Sequence, residues 1–320
     1  MKQKKILALK ILALILSAGL SLSALAGETH IESEFRLAAG VDDVETMSRL
    51  LDQGVAVDSP NSIGKTALMM AIENDNMAAT VLLLNRGADV NLATKAGCTA
   101  LTFAAENGHD ALTALLLERG ADINARTSAG WGALTIAARY GLTDMVDQLL
   151  YKGADPNATD EHQRTALMHA AEKGHAETLA LLLRSSGDIH AVDDHGATAL
   201  IIAADRGHAN VINALLDAGA DIDSADQDGA TALIWAVGQD NEQAAELLIH
   251  RKANVNKQDL DGVTPLMEAA SVRSEHLTKV LLEYGADPTI QDRDGRTALD
   301  IAKKKRNKKV ISLLQERMGG

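Results

Sequence analysis

The residues of this chain that could do chemistry are few, and they do not assemble into a recognised catalytic set. Gly64-Lys65-Thr66 has the ending of a phosphate-binding loop, in which a lysine and a hydroxyl would reach phosphates and their metal. Such a loop needs a glycine upstream, and that position is Ser59, so the backbone cannot wrap a phosphate chain. There is no His-Glu-x-x-His, no Gly-x-Ser-x-Gly and no Cys-x-x-Cys. Cys98 is the single cysteine, so no disulfide forms within the chain. It offers either a redox-reactive thiol or, as the simpler reading, a tolerated half-buried residue. His162 and His195 sit near Asp160, Asp193 and Asp194. Two imidazoles can share a metal, but zinc sites usually need a third or fourth ligand. The expectation is therefore no catalytic residue, no metal and no cofactor.

Binding is better represented than catalysis. Aromatic residues make up only 2% of the chain, which makes Trp131 and Tyr140 conspicuous, the more so with Arg139 and Arg164 nearby. Trp, Tyr and Arg are the types that dominate binding energy at protein interfaces. Trp235 and Phe103 fall where a first helix would face the core, and both are expected to be buried.

The elements that carry these residues follow a grid. Thr66, Thr99, Thr165, Thr198, Thr231, Thr264 and Thr297 are spaced by 33 residues or a multiple of it, with Gly132 in the one remaining slot. Each is followed by Ala or Pro and then Leu, as in Ala166-Leu167 and Pro265-Leu266. A fixed period of this size means stacked supersecondary units, each burying its neighbour's face. Thr opens a first helix as its N-cap. Gly108, Gly141, Gly174 and Gly207 stop it, and Leu-rich runs supply the apolar stripe of a second helix. Phrases such as Gly120-Ala121-Asp122-Ile123-Asn124 then turn the chain into the next unit.

Thr99-Ala100-Leu101-Thr102-Phe103-Ala104-Ala105-Glu106-Asn107-Gly108-His109, with Leu115-Leu116-Leu117-Glu118-Arg119-Gly120-Ala121-Asp122 behind it, resembles the ankyrin repeat. The resemblance implies an all-α solenoid of about nine helix–turn–helix repeats joined by β-hairpin-like loops. After residues 1–26, which read as a signal peptide, it divides the chain into 27–62, a degenerate N-terminal capping repeat; 63–294, seven repeats; and 295–320, a C-terminal capping repeat. It also implies that partners touch the hairpin tips and the exposed end of the first helix on a concave face. Those places hold Glu106, Asn107, Trp131, Arg139, Tyr140, His162, Arg164, Lys173, His195 and Arg206.

Met1–Ala26 reads as a secretory signal: Lys2, Lys4 and Lys5, an apolar stretch around Ile11–Leu16, and an Ala24-Leu25-Ala26 cleavage site. The expected home is the periplasm, with no membrane attachment after cleavage. The formal net charge is −13 and the signal carries four lysines, so the mature chain is more negative still. Nucleic acid and anionic membranes are poor partners for such a surface; a protein with a basic surface suits it better. The leading expectation is a non-enzymatic scaffold, monomeric in its simplest state, that binds another protein. Resemblance to exported bacterial ankyrin proteins suggests support of a stress-defence enzyme. The alternatives are an inhibitor or immunity protein blocking a secreted hydrolase or toxin, and a redox or metal role through Cys98 or His162/His195.

Overall fold

The computed structural model describes residues 30–319. The proposed signal segment lies outside the described residues. The described residues form 18 helices, and three isolated β-bridges are their only strand-like pairing. None of these helices is long and apolar enough to cross a membrane. The chain divides into two compact units, one running to Ser128 and the other from Ala129.

The first unit holds three helix pairs: α1 (His30–Gly40) with α2 (Val44–Asp52), α3 (Ala67–Glu73) with α4 (Met77–Asn85), and α5 (Ala100–Asn107) with α6 (Asp110–Glu118). The second holds six. They are α7 (Ala133–Tyr140) with α8 (Thr143–Tyr151), α9 (Ala166–Lys173) with α10 (Ala176–Arg184), and α11 (Ala199–Asp205) with α12 (Ala209–Asp217). Then come α13 (Ala232–Gly238) with α14 (Glu242–His250), α15 (Pro265–Val272) with α16 (Glu275–Glu283), and α17 (Ala298–Lys305) with α18 (Lys308–Gly319). Within each unit, first helices pack on first helices and second on second.

The threonine grid caps the first helices as its spacing predicts. The Thr165, Thr198, Thr231 and Thr264 side chains each accept the N–H three residues on, at 3.3–3.4 Å. Gly132 has no side chain to do so, and α7 starts without a side-chain cap. Such a cap contributes about 1 kcal/mol. Nine residues beyond each capping slot the backbone turns left-handed, at Gly108, Gly141, Gly174 and Gly207 but also at Asp75, Asp240, Arg273 and Arg306. The last four carry a Cβ in a region that favours glycine.

Packing explains the composition. Ala137, Ala138, Ala170, Ala171, Ala203 and Ala204 are fully buried, so neighbouring first helices can approach closely. Leu149, Leu182, Leu215, Leu248 and Leu281, one per repeat, form a fully buried row under the second helices. In most repeats a His or Asn before the second helix ties its repeat to the preceding one. His175 Nε2 lies 3.1 Å from the Arg139 carbonyl and His208 Nε2 3.0 Å from the Glu172 carbonyl. Asn241 donates to the Ala204 carbonyl at 3.0 Å in the same manner, and in the first unit Asn76 donates to that of Ala39 at 2.9 Å.

Trp235 and Phe103 depart from expectation. Both are half-buried. The position four residues after the cap lies at the edge where first helix meets hairpin, and there a large ring outgrows its cover. The Lys65 ammonium lies over the Phe103 ring, 4.5 Å from the centroid. Trp235 shares the edge of an open groove with the small residue Ala197.

Candidate functional site

The hairpins set the frame. In the second unit a row of aspartates, Asp160, Asp193, Asp226, Asp259 and Asp292, precedes each tip. One carboxylate oxygen of each accepts the backbone N–H groups two and four residues on, as Asp160 does from His162 and Arg164, both at 2.9 Å. Adjacent tips are joined by backbone bonds, Asp194 N–H to the His162 carbonyl at 3.0 Å and Gln227 N–H to that of His195 at 3.0 Å. With one oxygen committed to the loop, the second oxygen of these aspartates is free to fix a side chain. His169 Nε2 bonds Asp160 Oδ2 at 2.8 Å, Arg164 Nε donates to Asp193 Oδ2 at 3.2 Å, and Trp235 Nε1 donates to Asp226 Oδ2 at 2.7 Å.

On this frame the second unit gathers a charged cluster around Glu172, whose side chain is 13% exposed. Arg139 Nη1 reaches its Oε2 at 3.0 Å; Lys173 Nζ at 3.6 Å, Arg206 Nη2 at 3.7 Å and Arg164 Nη1 at 3.9 Å surround the carboxylate. Burial by itself would raise the Glu172 pKa, but Lys173, Arg139, Arg164 and His169 together hold it below the ordinary glutamate value. Trp131 packs on the His169 ring with centroids 4.9 Å apart, and the Arg139 guanidinium lies 5.2 Å from the Trp131 centroid.

His169 is buried, and that burial pushes its pKa down against the opposing pull of Asp160. The ring is therefore neutral near neutral pH, with Nε2–H on Asp160. Its Nδ1 makes no hydrogen bond and lies 4.0 Å from Glu172 Oε2.

Next to the cluster runs an open groove of about 380 Å³. Arg164, Glu172, Arg206, Asp226, Asp228 and Trp235 line it, with Ala197, Ile201 and Ile202 as apolar lining.

Of the residues singled out in the sequence, Arg139, Arg164, Lys173 and Arg206 meet at Glu172, with Trp131 against Arg139 and His169. His195 lines the groove. His162 and His195 flank one carboxylate, His162 Nδ1 3.1 Å from Asp194 Oδ2 and His195 Nε2 3.6 Å from Asp194 Oδ1. Both imidazoles are well exposed, and among the described residues no group of three or more His, Cys, Asp or Glu is arranged to hold a metal ion. Tyr140 is exposed at the end of α7 and is not part of the groove lining. Glu106 and Asn107 are exposed in the first unit, where Asn107 donates to the Phe103 carbonyl at 2.8 Å. Cys98 is half-buried.

Sequence reasoning missed His169 as a buried anchor and misread Trp235. A signal for both exists. Each follows a tip aspartate by nine residues, Asp160 and Asp226, and each carries an N–H donor in a row otherwise filled mainly by Met, Ile and Phe.

A family model described as ankyrin repeats (three copies) matches residues 35–127, 134–226, 167–259 and 233–319. No curated protein matches the chain.

Proposed function

Because the chain belongs to the ankyrin-repeat family, and is by that membership a protein–protein interaction scaffold, we propose that it works in the periplasm by gripping one protein partner along the hairpin and first-helix edge of its second unit. One observation carries this reading. Four cationic side chains converge on Glu172 beside an open groove, with Trp131 packed against Arg139 and His169, so the binding-prone residue types of an acidic chain are concentrated in one place. Interface energy concentrates in such Arg and Trp clusters. The periplasmic setting rests on the Lys-rich, apolar, Ala-x-Ala segment at residues 1–26. The action is binding without catalysis, in keeping with the family's usual role. Support of a stress-defence enzyme is one task such a scaffold would serve.

The test is capture of partners from periplasmic extract on immobilised protein beginning at Gly27. Wild type is set beside Trp131→Ala/Tyr140→Ala and Arg206→Ala. A partner retained by wild type and lost with Arg206→Ala and with the double variant is the expected result. An unchanged set of captured proteins refutes this face as the grip.

A further inference from the structure

We propose that the groove beside Trp235 is a socket for one basic side chain, lysine or arginine, contributed by the protein partner; this rests on the scaffold reading above. The warrant is an occupied version of the same socket in the chain's own first unit. There Lys65, the residue before capping Thr66, reaches forward to the next repeat. Its ammonium lies 4.5 Å from the Phe103 centroid, four residues after capping Thr99, and pairs with Glu73 at 2.5 Å. Cation, aromatic platform and carboxylate come from fixed places on the grid.

The same three places, four repeats further on, are Ala197, Trp235 and Asp205. The aromatic platform is kept and enlarged, the carboxylate is kept, and the lysine is replaced by a methyl group. All three residues line the groove. Two more repeats of the second unit show how the position before the cap is used. Trp131 there lies on His169 of the next repeat, and Arg164 there reaches Asp193 of the next hairpin. At Ala197 nothing reaches across, and that is where the groove opens.

The surroundings suit a cation. The Trp235 indole is held by its N–H bond to Asp226, whose other oxygen accepts the Asp228 and Ala230 N–H groups, so neither ring nor carboxylate needs to reorganise on binding. Asp228 adds an exposed carboxylate at the tip, and Gln239 holds Asp205 through its Oδ1 at 2.9 Å. A cation on an indole face with carboxylates around it is attracted by both the ring quadrupole and the charges. Arg164 and Arg206 also line the groove and in part neutralise Glu172, Asp193 and the socket's own Asp205, whose Oδ2 lies 3.4 Å from Arg206 Nε, so Asp226 and Asp228 supply the less neutralised charge.

The chain has two tryptophans, so the indole N–H resonances of Trp235 and Trp131 report separately, with Trp131→Phe fixing the assignment. The probe is acetyl-Gly-Arg-Gly-amide, titrated against its uncharged citrulline counterpart. The expected result is a saturable shift of the Trp235 resonance at about millimolar peptide, with none from the citrulline peptide. Asp228→Asn should weaken the binding about threefold, as befits an exposed charge. Ala197→Lys restores the first-unit arrangement without removing any group of the socket, and it should abolish the shift. Asp144→Asn, an exposed charge on α8, should leave the shift unchanged. A Trp235 resonance that stays still, or that moves equally with the citrulline peptide or in Ala197→Lys, overturns the proposal. The two readings fail separately. A responsive Trp235 with partner capture indifferent to groove variants sinks the scaffold face and spares the socket. Capture lost in Arg206→Ala with a silent Trp235 does the reverse.

Discussion

Replacing Glu172 by Gln keeps the shape of the side chain and removes the charge that four cations share. The Arg139 contact at 3.0 Å is a charge-assisted hydrogen bond to a carboxylate that is largely shielded from water, a class of bond worth about 1.5–3 kcal/mol. Lys173, Arg206 and Arg164 lie at 3.6, 3.7 and 3.9 Å on side chains that are 37, 54 and 30% exposed. Solvent screening cuts each of these to a few tenths of a kcal/mol. Against them stands the cost of desolvating the carboxylate, and Gln retains a carbonyl oxygen for Arg139. The net loss expected is about 2 kcal/mol. The assay is urea unfolding followed by tryptophan fluorescence, in a double-mutant cycle of Glu172→Gln with Arg139→Met. The coupling between the two sites should be about 1.5 kcal/mol at pH 7. The pH dependence has a definite sign. The cations depress the Glu172 pKa from 4.5, so its contribution is complete above the unfolded value of 4.5. It is lost as pH falls below that and through the lower folded value. A coupling under about 0.5 kcal/mol at pH 7, or one that persists unchanged at a pH where Glu172 is protonated, refutes the account of the cluster.

Other consequences are equally direct. Burial lowers the His169 pKa from 6.5, so folding favours its neutral form: stability should climb as pH rises from the folded midpoint to 6.5 and level off above it. An imidazole NMR titration should place the His169 midpoint below 6.5, the slope should vanish in His169→Phe, and a midpoint above 6.5 would contradict the burial argument. Arg273 holds φ at +66°, so Arg273→Gly should raise stability by about 0.5–1 kcal/mol in thermal unfolding, whereas Gly141→Ala, at φ +69° with His175 packed against it, should lower it. Leu215 is fully buried in the second-helix row, and Leu215→Ala should cost about 3 kcal/mol by the same measurement.

The fold was legible because most repeats spend the same residues on the same geometric problems. Thr198 caps, Ala203 and Ala204 admit the neighbouring helix, Gly207 turns left-handed and Leu215 fills the interior, and all of this recurs every 33 residues. The site was legible only in part. Arg139, Arg164, Lys173 and Arg206 were readable as exposed binding-prone types, but their convergence on Glu172 was not, because it depends on how far long side chains reach between repeats. Trp235 was misread because its expected burial rested on its place in the first helix alone, and the cover of that place also depends on the residue before the preceding cap, which is Ala197. His169 was missed because a histidine on an apolar face gives no sign of its partner until Asp160 is known to have an oxygen to spare.

These cases share one cause. The invariant rows of the grid make contacts within a repeat or between identical rows, so a period suffices to read them. The variable rows carry a different residue in each repeat and meet across neighbouring repeats: the residue before one cap meets the residue four beyond the next, as Lys65 meets Phe103 and Trp131 meets His169. The residue seven beyond one cap meets its counterpart in the next repeat, as Arg139 meets Glu172. The chemistry of the surface is therefore written in pairs offset by one repeat. A filled pair such as Lys65 with Phe103 stabilises the stack, while an unfilled pair such as Ala197 with Trp235 leaves a vacancy whose shape and charge state what a partner must bring. Ala197→Lys should therefore do two things at once, closing the groove to a basic ligand and adding a cation–π contact of about 0.5–1 kcal/mol to the stability of the second unit. If it closes the groove without stabilising, the offset pair acts on recognition alone and the analogy with Lys65 fails in its energetic half.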